Sequence, residues 1–318
     1  MGIIHFAGLG KSPGAVTAGL SYLKNEVGDS TDYGRIVEGL VIFTSPEILD
    51  GKEKAYLSTD NEYMTRTVRK RWADRLENPF EIVKEFIYHE FEDIDFHVCE
   101  VDVNNFSECF EVIAKTLLKF HHPGEVGKHI WANLTGGTNV LNAALMQVAY
   151  FSGFIPILYY TFVANVKEDG GFLKPFSRDE SEFDFRKIYV FKAIFDERYQ
   201  YILEELESSR GKWLTSSDLL TRLKGKRPDL FEEMDLTSFR RDFLNTMLGV
   251  QRKGERAKGQ EDLNSISKDG EGMLGIIRSP LFKALLRQTC YSLGEIEKLT
   301  EDLKINRIGS LGERKWKL

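Results

Sequence analysis

Two glycine-bearing turns carry the residues whose types and spacing could do chemistry. The first, Gly8–Gly14, reads Gly-Leu-Gly-Lys-Ser-Pro-Gly, and the second, Thr135–Asn139, reads Thr-Gly-Gly-Thr-Asn. Each turn follows an apolar strand-like run and precedes an apolar helix-like run. A strand-to-helix turn presents unpaired backbone N–H groups at the positive end of the helix dipole, and glycine lets a phosphate approach that backbone. The pair therefore predicts a site for a phosphate-rich nucleotide that needs no metal ion.

The predicted ligand-binding residues are members of these two turns. They are Gly8, Leu9, Gly10, Lys11, Ser12, Pro13, Thr135, Gly136, Gly137, Thr138 and Asn139. The first turn has neither the GxGxxG nor the GxxxxGK[ST] spacing, so an NAD or ATP site is the weakest interpretation. Ser12 could hydrogen-bond a phosphate or a ribose hydroxyl, or it could simply cap the next helix ahead of a first-turn proline. Over Asn133–Asn139, the second turn and the two residues before it, four hydrogen-bonding side chains flank two glycines, which is more than a plain linker requires.

Alternating strand and helix patterns predict how the two turns are positioned. The predicted strands are Ile3–Ala7, Leu40–Thr44, Asp95–Val103, His129–Leu134 and Ile155–Val163, and the predicted helices are Ala15–Leu23, Phe80–Tyr88, Phe106–Phe120 and Val140–Phe151. This alternation predicts an α/β domain over residues 1–195, Rossmann-like and with a mostly parallel sheet. Ligands bind such sheets at the carboxyl ends of the strands near the topological switch point, where both turns are expected.

The pattern changes near residue 196, and residues 196–318 are predicted to form a mainly helical, winged helix-turn-helix-like second domain. Its predicted segments are the helices Tyr199–Leu206, Leu219–Leu223 and Leu236–Leu248, a mobile loop or wing at Val250–Gly275, and helical spacing over Ile276–Leu303 within a helical C-terminal region. Four basic residues could contact DNA: Arg240, Arg241, Arg252 and Lys253. Acidic residues just before the third helix oppose DNA binding, and packing or dimerisation is the alternative role.

Composition limits the other function classes. The net charge of −6 argues against a general nucleic-acid-binding protein. The three cysteines form no CxxC pair, which argues against a disulfide framework and fits the reducing cytoplasm. No window approaches the roughly 18 apolar residues of a membrane span, so no membrane partner is expected. The histidines lack zinc-type spacing, and neither a metal ion nor a cofactor is expected.

The paired turns resemble the CRISPR-associated Rossmann-fold (CARF) family. Gly-Leu-Gly-Lys-Ser-Pro-Gly and Leu-Thr-Gly-Gly-Thr-Asn carry the resemblance, which covers about residues 1–190, and the Lys-Ser-Pro run is most similar to the ring-nuclease branch. The resemblance implies a homodimer that holds cyclic tetra-adenylate across its two-fold axis. It also implies cleavage by the ligand's own ribose 2′-hydroxyl, giving linear products with a 2′,3′-cyclic phosphate. Ser12 matches the catalytic serine, Lys174 and then Lys167 are the choices for a catalytic lysine, and Lys11 is another candidate cation.

Two functions follow from this resemblance. The first is a metal-independent ring nuclease that switches off type III CRISPR signalling. The alternative is a transcriptional regulator whose DNA binding is gated by a cyclic oligoadenylate. No histidine follows His129, so the Arg-x4–6-His motif of a C-terminal HEPN ribonuclease cannot occur there. RNA cleavage by such an effector domain is therefore not expected.

Overall fold

The computed structural model describes residues 3–23, 37–55, 78–91, 94–121, 129–163, 183–190, 196–209, 212–245, 250–252, 263–286 and 291–309. The chain divides into two compact units, Met1–Ala193 with Leu285–Leu318, and Ile194–Ala284. The predicted second domain, residues 196–318, is therefore too long at its C-terminal end, because the chain from Leu285 onward returns to the first unit.

Ten strands and twelve α-helices are described. The strands are β1 (Ile3–Leu9), β2 (Val37–Thr44), β3 (Asp95–Glu100), β4 (His129–Asn133), β5 (Ile157–Val163), β6 (Phe183–Tyr189), β7 (Leu214–Thr215), β8 (Val250–Arg252), β9 (Leu263–Ile266) and β10 (Ile305–Gly309). The helices are α1 (Gly14–Tyr22), α2 (Pro46–Leu49), α3 (Pro79–Glu90), α4 (Phe106–Phe120), α5 (Asn139–Ser152), α6 (Glu197–Ser208), α7 (Ser216–Lys226), α8 (Pro228–Phe231), α9 (Leu236–Phe239), α10 (Lys268–Arg278), α11 (Pro280–Leu286) and α12 (Leu293–Leu299). Within these residues, no helix is both long and apolar enough to cross a lipid bilayer.

A seven-stranded sheet forms the centre of the first unit. Its order is β10-β3-β2-β1-β4-β5-β6. The five central strands are parallel, and the two edge strands, β10 and β6, are antiparallel to their neighbours. This arrangement confirms the predicted α/β class with a Rossmann-like, mostly parallel sheet.

The central strand β1 shows why the sheet is covered on both faces. All seven of its residues are buried, as expected for an apolar run in a parallel sheet that helices cover on each side. Phe6 contacts Phe120 of α4, with 6.3 Å between the ring centroids. Ala7, the next residue, instead belongs to the apolar cluster that contains Val16 of α1 and Phe86 of α3. Since successive side chains of a strand point to opposite faces, α4 lies on one face and α1 and α3 lie on the other.

The end of the described chain corrects the prediction of a helical C-terminal region. Helix α12 begins with a capping box between Ser292 and Glu295 and packs against α4. The chain then forms β10, which pairs antiparallel with the exposed edge of β3. Arg307 Nε donates to Asp95 Oδ1 of β3 at 2.9 Å. A five-residue strand is too short for its period to be distinguished from helical spacing, so only its partner strand reveals it.

The second unit has the order helix, short strand, helices, hairpin, helix. Its strands form a small antiparallel sheet with the order β7-β9-β8. Within the predicted helix Leu236–Leu248, the α-helical part is only α9, and a π-helical turn follows it at Arg240–Leu244. The predicted loop or wing Val250–Gly275 contains β8, β9 and the first eight residues of α10. Ser267 caps α10 by accepting a hydrogen bond from the Gly270 N–H at 3.1 Å.

A buried carboxylate links two helices of the second unit. The Glu205 side chain of α6 is 4% exposed and accepts hydrogen bonds from Arg222 at 3.2 Å and from Lys226 at 2.5 Å, both on α7. Burial alone would raise the pKa of Glu205, but the hydrogen bonds from Lys226 and Arg222 hold that pKa below its ordinary value. The carboxylate is therefore ionised and paired at neutral pH.

Candidate functional site

The two predicted turns lie side by side at one edge of the sheet. Strands β1 and β4 are parallel neighbours, with Ala7 opposite Asn133 near their carboxyl ends. Strand β1 pairs on its other side with β2, so the chain reverses its direction of winding between β1 and β4. Their carboxyl ends form the topological switch point of the sheet, where ligands bind in open α/β folds.

Three glycines allow the two turns to touch through their backbones. A side chain at Gly136 would collide with the carbonyl oxygen of Gly8, and a Cβ at Gly8 would lie 3.0 Å from Gly137 Cα. Gly137 also has φ +79°, in the left-handed region that glycine adopts without strain. Any larger residue at these positions would separate the turns. The glycines of both motifs therefore have a packing role in addition to exposing the backbone.

A cleft of about 1060 Å³ opens above these turns and extends towards the ends of β2 and β3. Its lining includes eight of the predicted ligand-binding residues: Leu9, Gly10, Lys11, Ser12, Thr135, Gly136, Gly137 and Thr138. Three other predicted residues do not line it. Gly8 packs under the second turn, Pro13 is buried at the N-cap of α1, and Asn139 is the exposed first residue of α5.

Ser12 lies in the cleft wall, and its side chain does not cap α1. The N-cap residue of that helix is Pro13, with no side-chain cap bond, and Val16 N–H donates to the Pro13 carbonyl oxygen at 3.0 Å. The Ser12 carbonyl accepts from Ala15 N–H at 3.2 Å. The capping interpretation of Ser12 is therefore wrong, and its hydroxyl forms no hydrogen bond to another described residue.

The two threonine hydroxyls of the second turn form hydrogen bonds within the protein. Thr135 Oγ1 accepts from Thr161 N–H of β5 at 2.8 Å. Thr138 Oγ1 donates to the Val103 carbonyl at 2.6 Å and accepts from Leu141 N–H at 3.2 Å as the cap of α5. Both side chains fix the shape of the turn. Gly136 and Gly137 line the cleft, and no described residue accepts a hydrogen bond from their N–H groups, so the turn offers a ligand backbone donors beside the Thr135 hydroxyl hydrogen.

The charge of the cleft is uneven. Its described lining includes seven acidic residues, Glu47, Glu53, Glu100, Asp102, Glu108, Glu111 and Asp302, and three lysines, Lys11, Lys115 and Lys304. Neither turn contains an acid, and the seven acidic residues belong to the end of β3, to the segments after β2 and β3, to α4 and to the segment before β10. Lys11 pairs with Glu53 at 2.6 Å. The cleft thus has a backbone-donor half at the two turns and an acidic half opposite them.

Lys115 joins α4 to the segment before β10. Its Nζ lies 2.6 Å from Glu111 and 2.7 Å from Asp302. Burial alone would lower the pKa of Lys115, but the hydrogen bonds with Asp302 and Glu111 hold it above its ordinary value, so the ammonium stays charged. No local sequence pattern predicts this part of the wall. Residues 111, 115 and 302 are brought together only by the return of the chain to the first unit.

A buried polar cluster lies directly beneath the turns. Asn133 ends β4 and is fully buried, as are His5 of β1 and Tyr159 of β5. His5 Nδ1 lies 3.1 Å from the Tyr159 hydroxyl, and Tyr159 lies opposite Asn133 in the pairing of β5 with β4. Burial lowers the pKa of His5 to about 3, so its imidazole is neutral. Asn133 lies within the predicted strand His129–Leu134, and its side-chain contacts do not follow from the sequence pattern.

The other predicted site residues lie either outside the described residues or in the second unit. Lys167, Lys174 and Lys253 lie outside the described residues, so their roles stay predictions. In the second unit, Arg240 is half-buried, and Arg241 is exposed and pairs with Asp242 at 2.6 Å. Arg252 belongs to β8. Among the residues that the structure covers, no three His, Cys, Asp or Glu side chains are grouped as metal ligands would be.

Comparison with known proteins gives limited similarity. No protein-family model matches the chain. An uncharacterized protein of Archaeoglobus fulgidus is 27% identical over an aligned stretch of 193 residues, covering 52% of this chain and 59% of that protein. Csm6 of Enterococcus italicus, solved with cyclic hexa-2′-fluoro-hexa-dAMP, is similar over 93% of this chain and 64% of its own, with 15% identity and a TM-score of 0.34. The chain thus spans less than two thirds of either relative, and at this TM-score the likeness to Csm6 does not establish a shared fold.

Proposed function

We propose that this chain is a metal-independent ring nuclease that binds cyclic tetra-adenylate as a homodimer. The observation that carries the proposal is the contact of two glycine turns at the switch point, with the Ser12 hydroxyl in the wall of the cleft above them. The resemblance of both turns to the CARF family supports the same ligand. A two-fold dimer would present two such clefts to a ligand whose own ring is symmetric.

The proposed reaction requires the protein mainly to align the ribose 2′-hydroxyl with the phosphodiester. A ribose 2′-hydroxyl loses its proton as its oxygen bonds to the adjacent phosphorus, the bond from phosphorus to the 5′-oxygen breaks, and the 5′-oxygen takes up a proton. The product is a linear oligoadenylate with a 2′,3′-cyclic phosphate. Ser12 and the turn N–H groups would hold the phosphate in line and stabilise charge on the phosphorane. Lys174 or Lys167 is proposed as the cation that assists, with Lys11 as another candidate.

The acidic half of the cleft fits this ligand if the phosphates occupy the turn half. Carboxylates repel phosphate, so the seven acidic residues would confine the ring's phosphates to the two turns. Carboxylates also accept hydrogen bonds from amino groups, and adenine carries an exocyclic amino group. The charge distribution therefore favours one orientation of the ligand over the reverse.

The test is incubation of the purified protein with cyclic tetra-adenylate in EDTA, read by chromatography and mass spectrometry. We expect linear products with a cyclic phosphate end, and a Ser12→Ala variant that is slower by about 10²-fold or more. Ser45→Ala is the matched control, because Ser45 lines the same cleft on its β2 side. An intact ligand after long incubation with wild-type protein would overturn the proposal, and equal rates for both serine variants would remove Ser12 from it.

A second candidate function is a DNA-binding regulator gated by the same ligand. The order of strands and helices in the second unit supports this candidate, as does the exposure of Arg241 on the π-helical turn. The pairing of Arg241 with Asp242 weakens this candidate, because it neutralises the charge that a DNA phosphate would meet. Titration with promoter DNA, with and without cyclic tetra-adenylate, tests it. Absence of DNA binding in both states would rule it out.

A further inference from the structure

Asn133 connects the two turns through its amide group. Its Oδ1 accepts a hydrogen bond from the Thr135 N–H at 2.8 Å, which shapes the start of the second turn. Its Nδ2 donates to the Ala15 carbonyl oxygen at 2.9 Å, in the first turn of α1. Ala15 N–H in turn bonds the Ser12 carbonyl at 3.2 Å. One buried side chain therefore hydrogen-bonds both the second turn and the helix start that contacts Ser12.

The surroundings of Asn133 keep this link in one geometry. A Cβ at Gly19 of α1 would lie 2.8 Å from Tyr159 Cε2 and 3.4 Å from Asn133 Nδ2, so α1 approaches the sheet closely only because residue 19 is glycine. Tyr159 is held by His5, and Thr161 N–H is held by Thr135 Oγ1 at 2.8 Å. With its two polar atoms engaged, the amide of Asn133 cannot rotate without losing bonds in a site closed to water.

We infer that Asn133 is the positioning residue that sets the separation of the two turns, and with it the distance from the Ser12 hydroxyl to the Gly136 and Gly137 N–H groups. Asn133 is fully buried and does not line the cleft, so it acts on the ligand only through the turns. This inference rests on the proposed function. It adds that phosphate binding depends on an internal amide as well as on the residues that touch the ligand.

Two substitutions distinguish the two roles of Asn133: its hydrogen bond to Ala15, which links the turns, and its hydrogen bond to Thr135, which shapes the second turn alone. Asn133→Ser keeps a short acceptor for the Thr135 N–H but does not reach the Ala15 carbonyl. Asn133→Asp keeps the shape of asparagine but, when ionised, places an acceptor against that carbonyl. Protonation restores a donor there, and burial raises the pKa of the new carboxyl. The titratable groups on this face of the sheet are Tyr159, His5 and, on the neighbouring strand β6, Lys187, whose Nζ lies 5.3 Å from the Trp131 ring. Burial raises the Tyr159 pKa and lowers the His5 pKa, so neither changes charge near neutral pH.

The experiment measures the affinity for cyclic tetra-adenylate and the amide hydrogen exchange of both turns in the full chain. We expect Asn133→Ser to bind about tenfold more weakly, and Asn133→Asp to be weak at about pH 8 and to recover towards wild type at about pH 5.5. Exchange should rise in both turns, including residues 14–17. Ile130→Ala, a buried change on the same strand, is the control for lost stability and should leave both readouts unchanged while the protein is folded.

The outcomes keep this inference separate from the proposed function. If wild-type protein does not bind the ligand, the proposed function falls, and the exchange data still test whether Asn133 links the turns. If folded Asn133→Ser binds as wild type does, or exchange rises only in the second turn, the inference is overturned. If Ile130→Ala weakens binding as much as Asn133→Ser, the effect belongs to stability, and the inference is also overturned.

Discussion

At the residue scale, the candidate site depends on the absence of side chains at three glycines. Gly8, Gly136 and Gly137 let two backbone segments meet where side chains would hold them apart. Gly10 belongs to the same motif, yet a Cβ there would meet its nearest neighbour at 3.9 Å, an ordinary contact distance. Four glycines of two similar motifs therefore differ in what they do, and the difference appears only when the turns are placed together.

Gly136→Ala should destabilise the protein by about 1–3 kcal/mol, because the new methyl group collides with the Gly8 carbonyl and the backbone must shift. Gly10→Ala should change the free energy of unfolding by no more than about 0.5 kcal/mol. Urea unfolding of both variants measures the difference. Equal stability of the two variants would contradict the contact between the turns.

At the element scale, the strand–turn–helix units were predictable and their wider surroundings were not. Apolar runs such as β1 and the glycines that follow them are local signals, so both turns and the parallel sheet could be read from the sequence. The contacts of Asn133 with Ala15, and of Lys115 with Asp302, join residues far apart in the chain. No local pattern encodes such pairs. The strands β8 and β9 lie in the stretch predicted as a loop or wing, and their bounds could not be predicted because its residues are polar and Gly-rich.

Helices α6 and α7 are joined by the buried carboxylate of Glu205, so the stability of the second unit should depend on pH. Because hydrogen bonds lower the Glu205 pKa from its ordinary value of 4.5, this contribution is present above that pH and is lost as the pH falls through the lower, folded-state pKa. Glu205→Gln should cost about 1–3 kcal/mol at neutral pH and little in acid. Thermal unfolding at several pH values measures this.

Glu207→Gln on the same helix is the control for Glu205→Gln. Glu207 pairs with Arg278 at 2.7 Å, but both side chains are partly exposed, at 36% and 44%. Exposed ion pairs contribute about 0–1 kcal/mol. A Glu205→Gln variant no less stable than Glu207→Gln at neutral pH would show that the buried pair does not hold α6 against α7.

At the scale of the whole molecule, the second unit is an insertion into the first. The chain leaves the first unit after β6, forms residues 194–284, and returns to supply α12 and β10. Strand β10 covers the edge of β3, which would otherwise present unpaired backbone groups. The residues before it, Asp302, Leu303 and Lys304, line the candidate cleft. The C-terminal segment thus protects the sheet edge and also forms a wall of the site.

A chain that ends at Lys304 should self-associate and unfold at a lower temperature than a chain that ends at Gly309. The shorter chain keeps the cleft wall and loses β10, so the edge of β3 becomes available to another molecule. Light scattering after size-exclusion chromatography reports the association, and a thermal melt reports the stability. If the two chains were alike in both measurements, β10 would have no protective role.

The pairing of β3 with β10 also sets an order of events during synthesis. Asp95 and Arg307, which hydrogen-bond across these strands, are 212 positions apart. A growing chain completes β1 to β6 and then the whole inserted unit before β10 leaves the ribosome. Contacts so distant in sequence form slowly and late. During that interval the nascent protein has an open sheet edge and a cleft without the wall that residues 302–304 form, so the stage most exposed to misassembly lies between the synthesis of residue 100 and that of residue 305.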